Sequence, residues 1–204
     1  RDGLLAALGR PAAAPARLKS IRTDVDFPEV VMVDQAPLSK TPRSNPVIFV
    51  DAWKPIRDAF ARTEGARQAG LSPSHFSFNS GHGRCEQCQG LGYERVEMQF
   101  LSDVYAPCIS CEGLRFKEEV LAVQLDGLNV SQVLDLSVSE AIERFIRLPR
   151  TANRLRALDE VGLGYLSISQ PLNTLSGGEC QRLKLVKYLD RLGSSDKPSL
   201  LLLD

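Results

Sequence analysis

Between Glu29 and Asp34 the chain runs Val-Val-Met-Val with a carboxylate at each end, the short apolar run of a buried strand. Pro37, Pro42 and Pro46 follow within 35–46 and forbid a regular helix there. Trp53, Ile56, Ala59 and Phe60 then recur at helical spacing, predicting a helix over 52–69 that stops at Gly70. Val96, Met98 and Phe100 alternate with Glu97 and Gln99, which is strand period. A further strand is predicted over 119–125, and helices over 130–147 and 151–161. Gly162-Leu163-Gly164-Tyr165 reads as a turn. A helix opened by Leu175-Ser176-Gly177-Gly178-Glu179 carries Leu183, Val186 and Leu189 on one side and ends near Gly193-Ser194-Ser195. Leu200 to Leu203 then read as a buried strand. At the other end, Arg1 to Leu8 has a helical pattern, and an Ala/Pro linker follows from Pro11 to Pro15. Opening on a helix in progress and stopping after four leucines, the sequence reads as an internal segment of a longer chain.

Composition adds little: 43% of the 204 residues are hydrophobic and 25% charged, as in an ordinary globular protein. No apolar run reaches membrane-spanning length. Net charge is zero, so no global field draws nucleic acid, although basic residues cluster at 40–43 and 182–191.

The cysteines change the picture. Cys85-x-x-Cys88 and Cys108-x-x-Cys111 form two tight pairs, each followed by a glycine at the same offset, Gly90 and Gly113. Such pairs bend into knuckles that present both sulfurs to one ion, and the separation between them suits a β-hairpin that sets the knuckles face to face around a structural Zn²⁺. A disulfide framework is the competing reading. It leaves Cys180 over, and no secretory signal opens the chain. Reduced cysteines of this kind point to the cytoplasm. His82 flanks the first pair, but four cysteines already complete a tetrahedral site.

A second constellation lies near the end. In Ser176-Gly177-Gly178-Glu179 the glycines let backbone approach a phosphate, and a helix N-terminus offers free N–H groups; a capped helix with a flexible Gly pair is the plainer alternative. Leu200-Leu201-Leu202-Leu203-Asp204 resembles a Walker B strand, whose carboxylate helps hold Mg²⁺.

Taken together, these motifs resemble the UvrA family of ABC ATPases. Leu175 to Arg182 is similar to that family's signature, and the stretch from Asp34 to Pro46 resembles its DQSPIGRTPRSNP segment. Phe76-Ser77-Phe78-Asn79, the Gly83 to Gly90 run, Asp103 to Cys108 and Val161 to Tyr165 agree in the same order. Lys40, Leu38, Cys180, Asn173 and Lys187-Tyr188 depart from the usual text.

The resemblance implies an α/β fold: a partial ABC-type P-loop ATPase domain with a helical signature subdomain and an inserted C4 zinc module. Its expected parts are an ATP-binding core at 1–50, a helical segment at 51–74, the zinc module at 75–118, the signature domain at 119–199 and the Walker B strand at 200–204. It implies Gln35 as the Q-loop glutamine and Asp204 as the Mg²⁺ carboxylate. Ser176, Gly177, Gly178 and Glu179 would face ATP held by the opposite ATPase half. Arg43, Arg84, Arg95 and Lys117 are candidate DNA contacts, each equally readable as surface charge.

The function so implied is an ATP-dependent DNA-damage recognition subunit in nucleotide excision repair, using Zn²⁺, ATP and Mg²⁺. It would bind double-stranded and damaged DNA, pair with a UvrB-like partner, form a homodimer and lie outside membranes. No Gly-x-x-x-x-Gly-Lys-Ser/Thr occurs and the catalytic Glu is missing, so these residues alone are expected to hydrolyse no ATP. Two alternatives stand beside this: a paralogue conferring resistance to DNA-intercalating drugs, and a non-catalytic zinc-binding interaction module, since Cys-x-x-Cys-x-Gly repeats also resemble the chaperone DnaJ family.

Overall fold

A computed structural model describes residues 29–98, 104–192 and 199–203. The expected N-terminal helix and linker, Phe100 and Asp204 lie outside the described residues. The chain divides into two compact units, one of residues 1–38 with 175–204, the other of residues 39–174.

In the first unit, β1 (Glu29–Val33) pairs in parallel with β6 (Ser199–Leu203), Val33 opposite Leu203. A parallel pair needs a long crossover. Here the last part of that crossover is α8 (Gly177–Leu192), which buries Cys180, Leu183 and Val186. Val31 and Val33 are buried, as expected of β1. The four leucines differ from expectation: Leu200, Leu201 and Leu202 are half-buried, and Leu203 is 61% exposed. The reason is that β6 has only β1 beside it among the described strands.

The second unit begins with α1 (Pro46–Phe49), which Asn45 caps by accepting from the Ile48 N–H at 3.2 Å. The helix expected at 52–69 is two: α2 (Trp53–Ala61) and α3 (Glu64–Gln68). Thr63 makes the break by taking an extended backbone and accepting from the Ala66 N–H. A hairpin follows, β2 (Tyr93–Val96) antiparallel to β3 (Val104–Pro107), so among the described residues the paired stretch is shorter than the alternation in the sequence. Residues 119–125 correct the sequence reading. They begin inside a one-turn helix, α4 (Glu118–Leu121), with Glu118 and Glu119 favourably placed in its first turn, and only Gln124–Leu125 form a strand, β4, which pairs with β5 (Leu128–Asn129). The helix expected at 130–147 also splits, into α5 (Val130–Asp135) and α6 (Val138–Arg144), because Ser137 and Glu140 form a capping box that starts a new helix. The last α-helix of the unit, α7 (Pro149–Glu160), starts on a proline at its first turn.

The core of this unit is aromatic. Trp53, Phe60, Phe76, Phe78 and Phe116 are all buried. Phe60 stacks on Phe76 with centroids 5.1 Å apart, and Trp53 meets Phe78 at 5.6 Å. Phe76 and Phe78 sit just ahead of the first cysteine pair, so the chain is anchored on α2 immediately before it enters the metal module.

Candidate metal centre and phosphate-facing loop

The hairpin β2–β3 brings the two cysteine pairs together. Cys85, Cys88, Cys108 and Cys111 are all buried, and their sulfurs lie within 4.8 Å of one another. The Cys85–Cys108 and Cys88–Cys111 Sγ distances are 3.9 and 3.7 Å. A disulfide needs about 2.05 Å, so these are not bonded sulfurs. Four thiolates about 2.3 Å from a tetrahedral Zn²⁺ stand about 3.8 Å apart, so the donor set fits zinc without rearrangement.

The two knuckles repeat each other bond for bond. In the first, the Leu91 N–H donates to the Cys88 carbonyl and the Gly92 N–H to Cys88 Sγ, at 3.1 and 3.2 Å. In the second, the Leu114 N–H donates to the Cys111 carbonyl and the Arg115 N–H to Cys111 Sγ, at 2.7 and 3.4 Å. The knuckles also bond to each other: Cys85 N–H to the Arg115 carbonyl at 2.8 Å, and Cys108 N–H to the Gly92 carbonyl at 3.0 Å. Such N–H···S bonds stabilise sulfur as thiolate, the form that binds metal. Left-handed backbone makes the sharp turns possible. Gly90 stands at φ 82°, and a Cβ there would lie 2.1 Å from the Phe78 carbonyl oxygen.

Four thiols this close resist ionising together. Burial pushes the Cys111 thiol up to about 12 against the pull of the Arg115 N–H, and raises Cys108 as well. Burial acts the same way on Cys85, but there the N–H groups of Cys88 and Gln87 and the Ser110 hydroxyl prevail and bring it down to about 7. A divalent cation removes the conflict by displacing the protons. A cavity of about 270 Å³ lined by Cys85, Cys111, Phe116 and Lys117 opens beside the cluster. Neither histidine joins the cluster, and His75 Nδ1 accepts from the Ser72 N–H at 3.0 Å.

The candidate DNA cations are already engaged. Arg43 donates to the Gln89 carbonyl at 3.0 Å and Arg84 to the Asn79 carbonyl at 2.9 Å. Lys117 pairs with Glu86 at 2.6 Å, and Arg95 lies 3.9 Å from Glu97. Arg43 and Arg84 thereby fasten loops around the module.

In the first unit, Ser176 and Glu179 form a second capping box. The Glu179 carboxylate accepts from the Ser176 N–H and hydroxyl at 2.7 and 2.8 Å, and the Glu179 N–H donates to Ser176 Oγ at 3.3 Å. The N–H groups of Gly177 and Gly178 have no protein acceptor among the described residues, and the exposed Gly178 has open space where a Cβ would point. Gly177 packs against Gln35: a Cβ there would lie 2.8 Å from Gln35 Oε1. The structure thus brings Gln35, Ser176, Gly177 and Gly178 together beyond the carboxyl end of β1.

Two residues outside the sequence-derived set make this possible. Gln181 Nε2 donates to the Val33 carbonyl at 2.9 Å. Lys184 Nζ donates to the Asp34 and Ala36 carbonyls at 3.0 and 2.7 Å and ion-pairs with the Asp34 carboxylate. The only signal for them was their helical spacing from Gly177, with Gln181 one turn on and Lys184 two.

No family model matches the chain. Individual relatives do. UvrABC system protein A of Methanothermobacter thermautotrophicus is 49% identical over 163 residues, 80% of this chain and 17% of the relative. The protein of the same name from Clostridium perfringens is 42% identical over 93% of the chain and 20% of the relative, and that of Vibrio cholerae 45% identical over 90% and 20%. Among solved structures, UvrA2 from Deinococcus radiodurans superposes with a TM-score of 0.80 at 43% identity, covering 87% of this chain and 22% of that one. The chain spans about a fifth of the length of the curated relatives it matches. With a four-cysteine cluster, a glycine-opened helix against Gln35 and this identity over most of its length, the chain belongs to the UvrA family.

Proposed function

We propose that these residues supply the Q-loop, the signature loop and the structural zinc module of a UvrA-type ABC ATPase, acting as the damage-recognition subunit of a nucleotide excision repair system. The observation that carries this reading is the packing of Gly177 against Gln35. It puts an amide that can report on the γ-phosphate beside N–H groups that can cover a phosphate.

MgATP, when bound, supplies the γ-phosphoryl group and its charge. This chain's part is to orient. Ser176 and Glu179 hold the first turn of α8 in shape, leaving the Gly177 and Gly178 N–H groups directed outward at the helix N-terminus, where a phosphate of the opposite ATPase half is favoured. Asp204 would carry the Mg²⁺ side of the site. Lys184 and Gln181 keep the end of β1 against α8, so occupancy at the loop is felt at Gln35. Cys85, Cys88, Cys108 and Cys111 would hold Zn²⁺ in a closed, structural site and give the β2–β3 hairpin a rigid base from which to meet double-stranded or damaged DNA. A homodimer and a UvrB-like partner complete the reading.

The test uses the full-length protein. Gly177→Asp should abolish DNA-stimulated ATP turnover while nucleotide still binds, because its Cβ would displace Gln35 and its carboxylate would repel a phosphate at the loop. Turnover within about twofold of the unaltered protein would refute the phosphate-facing role.

A further inference from the structure

Arg115 occupies, in the second knuckle, the place Gly92 occupies in the first. Both lie four residues after the second cysteine of their pair, and both have left-handed backbone, φ 71° and 80°. Each donates its N–H to that cysteine's sulfur and offers its carbonyl to the first cysteine of the other pair. A glycine does all of this without strain, as Gly92 shows, so the main chain does not account for an arginine here. The side chain must.

That side chain runs across the first knuckle. A Cβ added to Gly92 would come within 2.9 Å of Arg115 Cγ and 3.4 Å of Nε, so the missing side chain at 92 is what admits it. The charged and ionisable groups near enough to favour its positive charge are Asp135 at the end of α5, Tyr93, and Cys88 and Cys111 of the two knuckles. Burial opposes its charge while these neighbours favour it.

The geometry points to Arg115 as a positioning residue for the metal centre: a half-buried cation, laid across Gly92 of the first knuckle, that offsets the charge of the zinc–thiolate cluster. This rests on the zinc reading. Zn²⁺ with four thiolates carries a net charge of about −2, which is costly away from water. Arginine keeps its charge under any condition the fold survives, so it supplies a permanent counter-charge where a lysine could titrate. The inference also explains the asymmetry of the knuckles, since one crevice has room for one such side chain.

The experiment compares Arg115→Gly, Arg115→Gln and Arg115→Lys in the full-length protein. Zinc release to a chromogenic chelator and the alkylation rate of the cysteines are both followed. Arg115→Gly keeps the backbone at ease and removes the charge; it should lose zinc about tenfold faster or more, in the range seen when outer-shell partners are removed. Arg115→Gln should behave alike, and Arg115→Lys should stay within about threefold of the unaltered protein. After cobalt substitution, the thiolate-to-metal charge-transfer band should move to longer wavelength in the Gly and Gln variants and hold in the Lys variant. Unchanged zinc release in both uncharged variants, or a Lys variant as leaky as they are, overturns the inference; the Gln and Lys pair decides it even if the Gly variant misfolds. Absence of zinc from the unaltered protein would instead overturn the zinc reading itself.

Discussion

The metal module and the signature loop make opposite use of a glycine-rich turn. In the module, left-handed backbone folds inward, its N–H groups are taken by sulfur, and every ligand comes from within about thirty residues of sequence. At the head of α8 Gly177 packs against Gln35 and Gly178 faces open space, and no hydrogen bond from either N–H is seen among the described residues. The first arrangement is closed by what one chain supplies; the second is left open, as the proposed phosphate-covering role requires. Glycine thus says only that backbone comes close to something. The neighbouring residues, cysteines in one case and a Ser/Glu capping box in the other, decide whether that something is protein or ligand.

Breaking the closed side should have the largest effect. In Cys108→Ser, or after chelation, zinc-binding free energy on the order of 10 kcal/mol is at stake. The expected result is loss of bound zinc, with rapid hydrogen exchange over 85–116 while α6 and α7 stay protected. Full zinc content in that variant would refute the four-cysteine site. Trp53→Ala tests how far the aromatic core supports the module without the metal. Unfolding should cost about 3–5 kcal/mol, read from denaturant melts, with zinc content unchanged.

The open side should answer more gently. Lys184→Met removes a largely buried ammonium from two carbonyls and a carboxylate, and should cost about 1.5–3 kcal/mol. If α8 is what positions Gln35, ATP turnover in the full-length protein should fall with it. Ser176→Ala removes the cap of α8 and should cost about 1 kcal/mol in a thermal melt. The smallest effect belongs to Glu86. Its hydrogen bond and attraction to Lys117 hold its carboxyl below the usual range. The sign is that of a depressed acid: the contribution is present above the unfolded-state pKa and lost as pH falls through the lower folded value. Glu86 is fully exposed, so Glu86→Gln should leave the melt at neutral pH nearly unmoved and slightly flatten its acid limb.

The closed site was almost entirely legible in the sequence because cysteine spacing encodes its own geometry. Helix breaks were legible too, but in a different alphabet. Apolar periodicity runs straight through 52–69 and 130–147, whereas the stops are written in Thr63 and in the pair Ser137 and Glu140. Residues 119–125 look strand-like by composition, yet two acids in a first turn and burial of Val120 favour a helical turn. What spacing could not give was contact between distant segments. Lys184 meets Asp34 across 150 residues and Gln181 meets Val33 across 148, and no local pattern names such partners. Arg115 falls between these cases. It becomes visible once the two knuckles are laid over each other and an arginine is found in a glycine's place.

One pairing also bears on how the chain comes to fold. Strands β1 and β6 lie side by side although their partners Glu29 and Ser199 are far apart in sequence. Left as a free coil, that connection would have to be gathered in a single closure. Residues 39–174 shorten it. The Leu172 N–H bonds to the Ser44 carbonyl at 2.8 Å and the Val47 N–H to the Ile168 carbonyl at 3.0 Å, so this unit returns the chain close to where it left. Once it has formed, the loop to be closed drops from about 165 residues to about 40, easing closure by about 1 kcal/mol. For its host, the insertion is a shortcut along the chain as well as a separate piece of machinery.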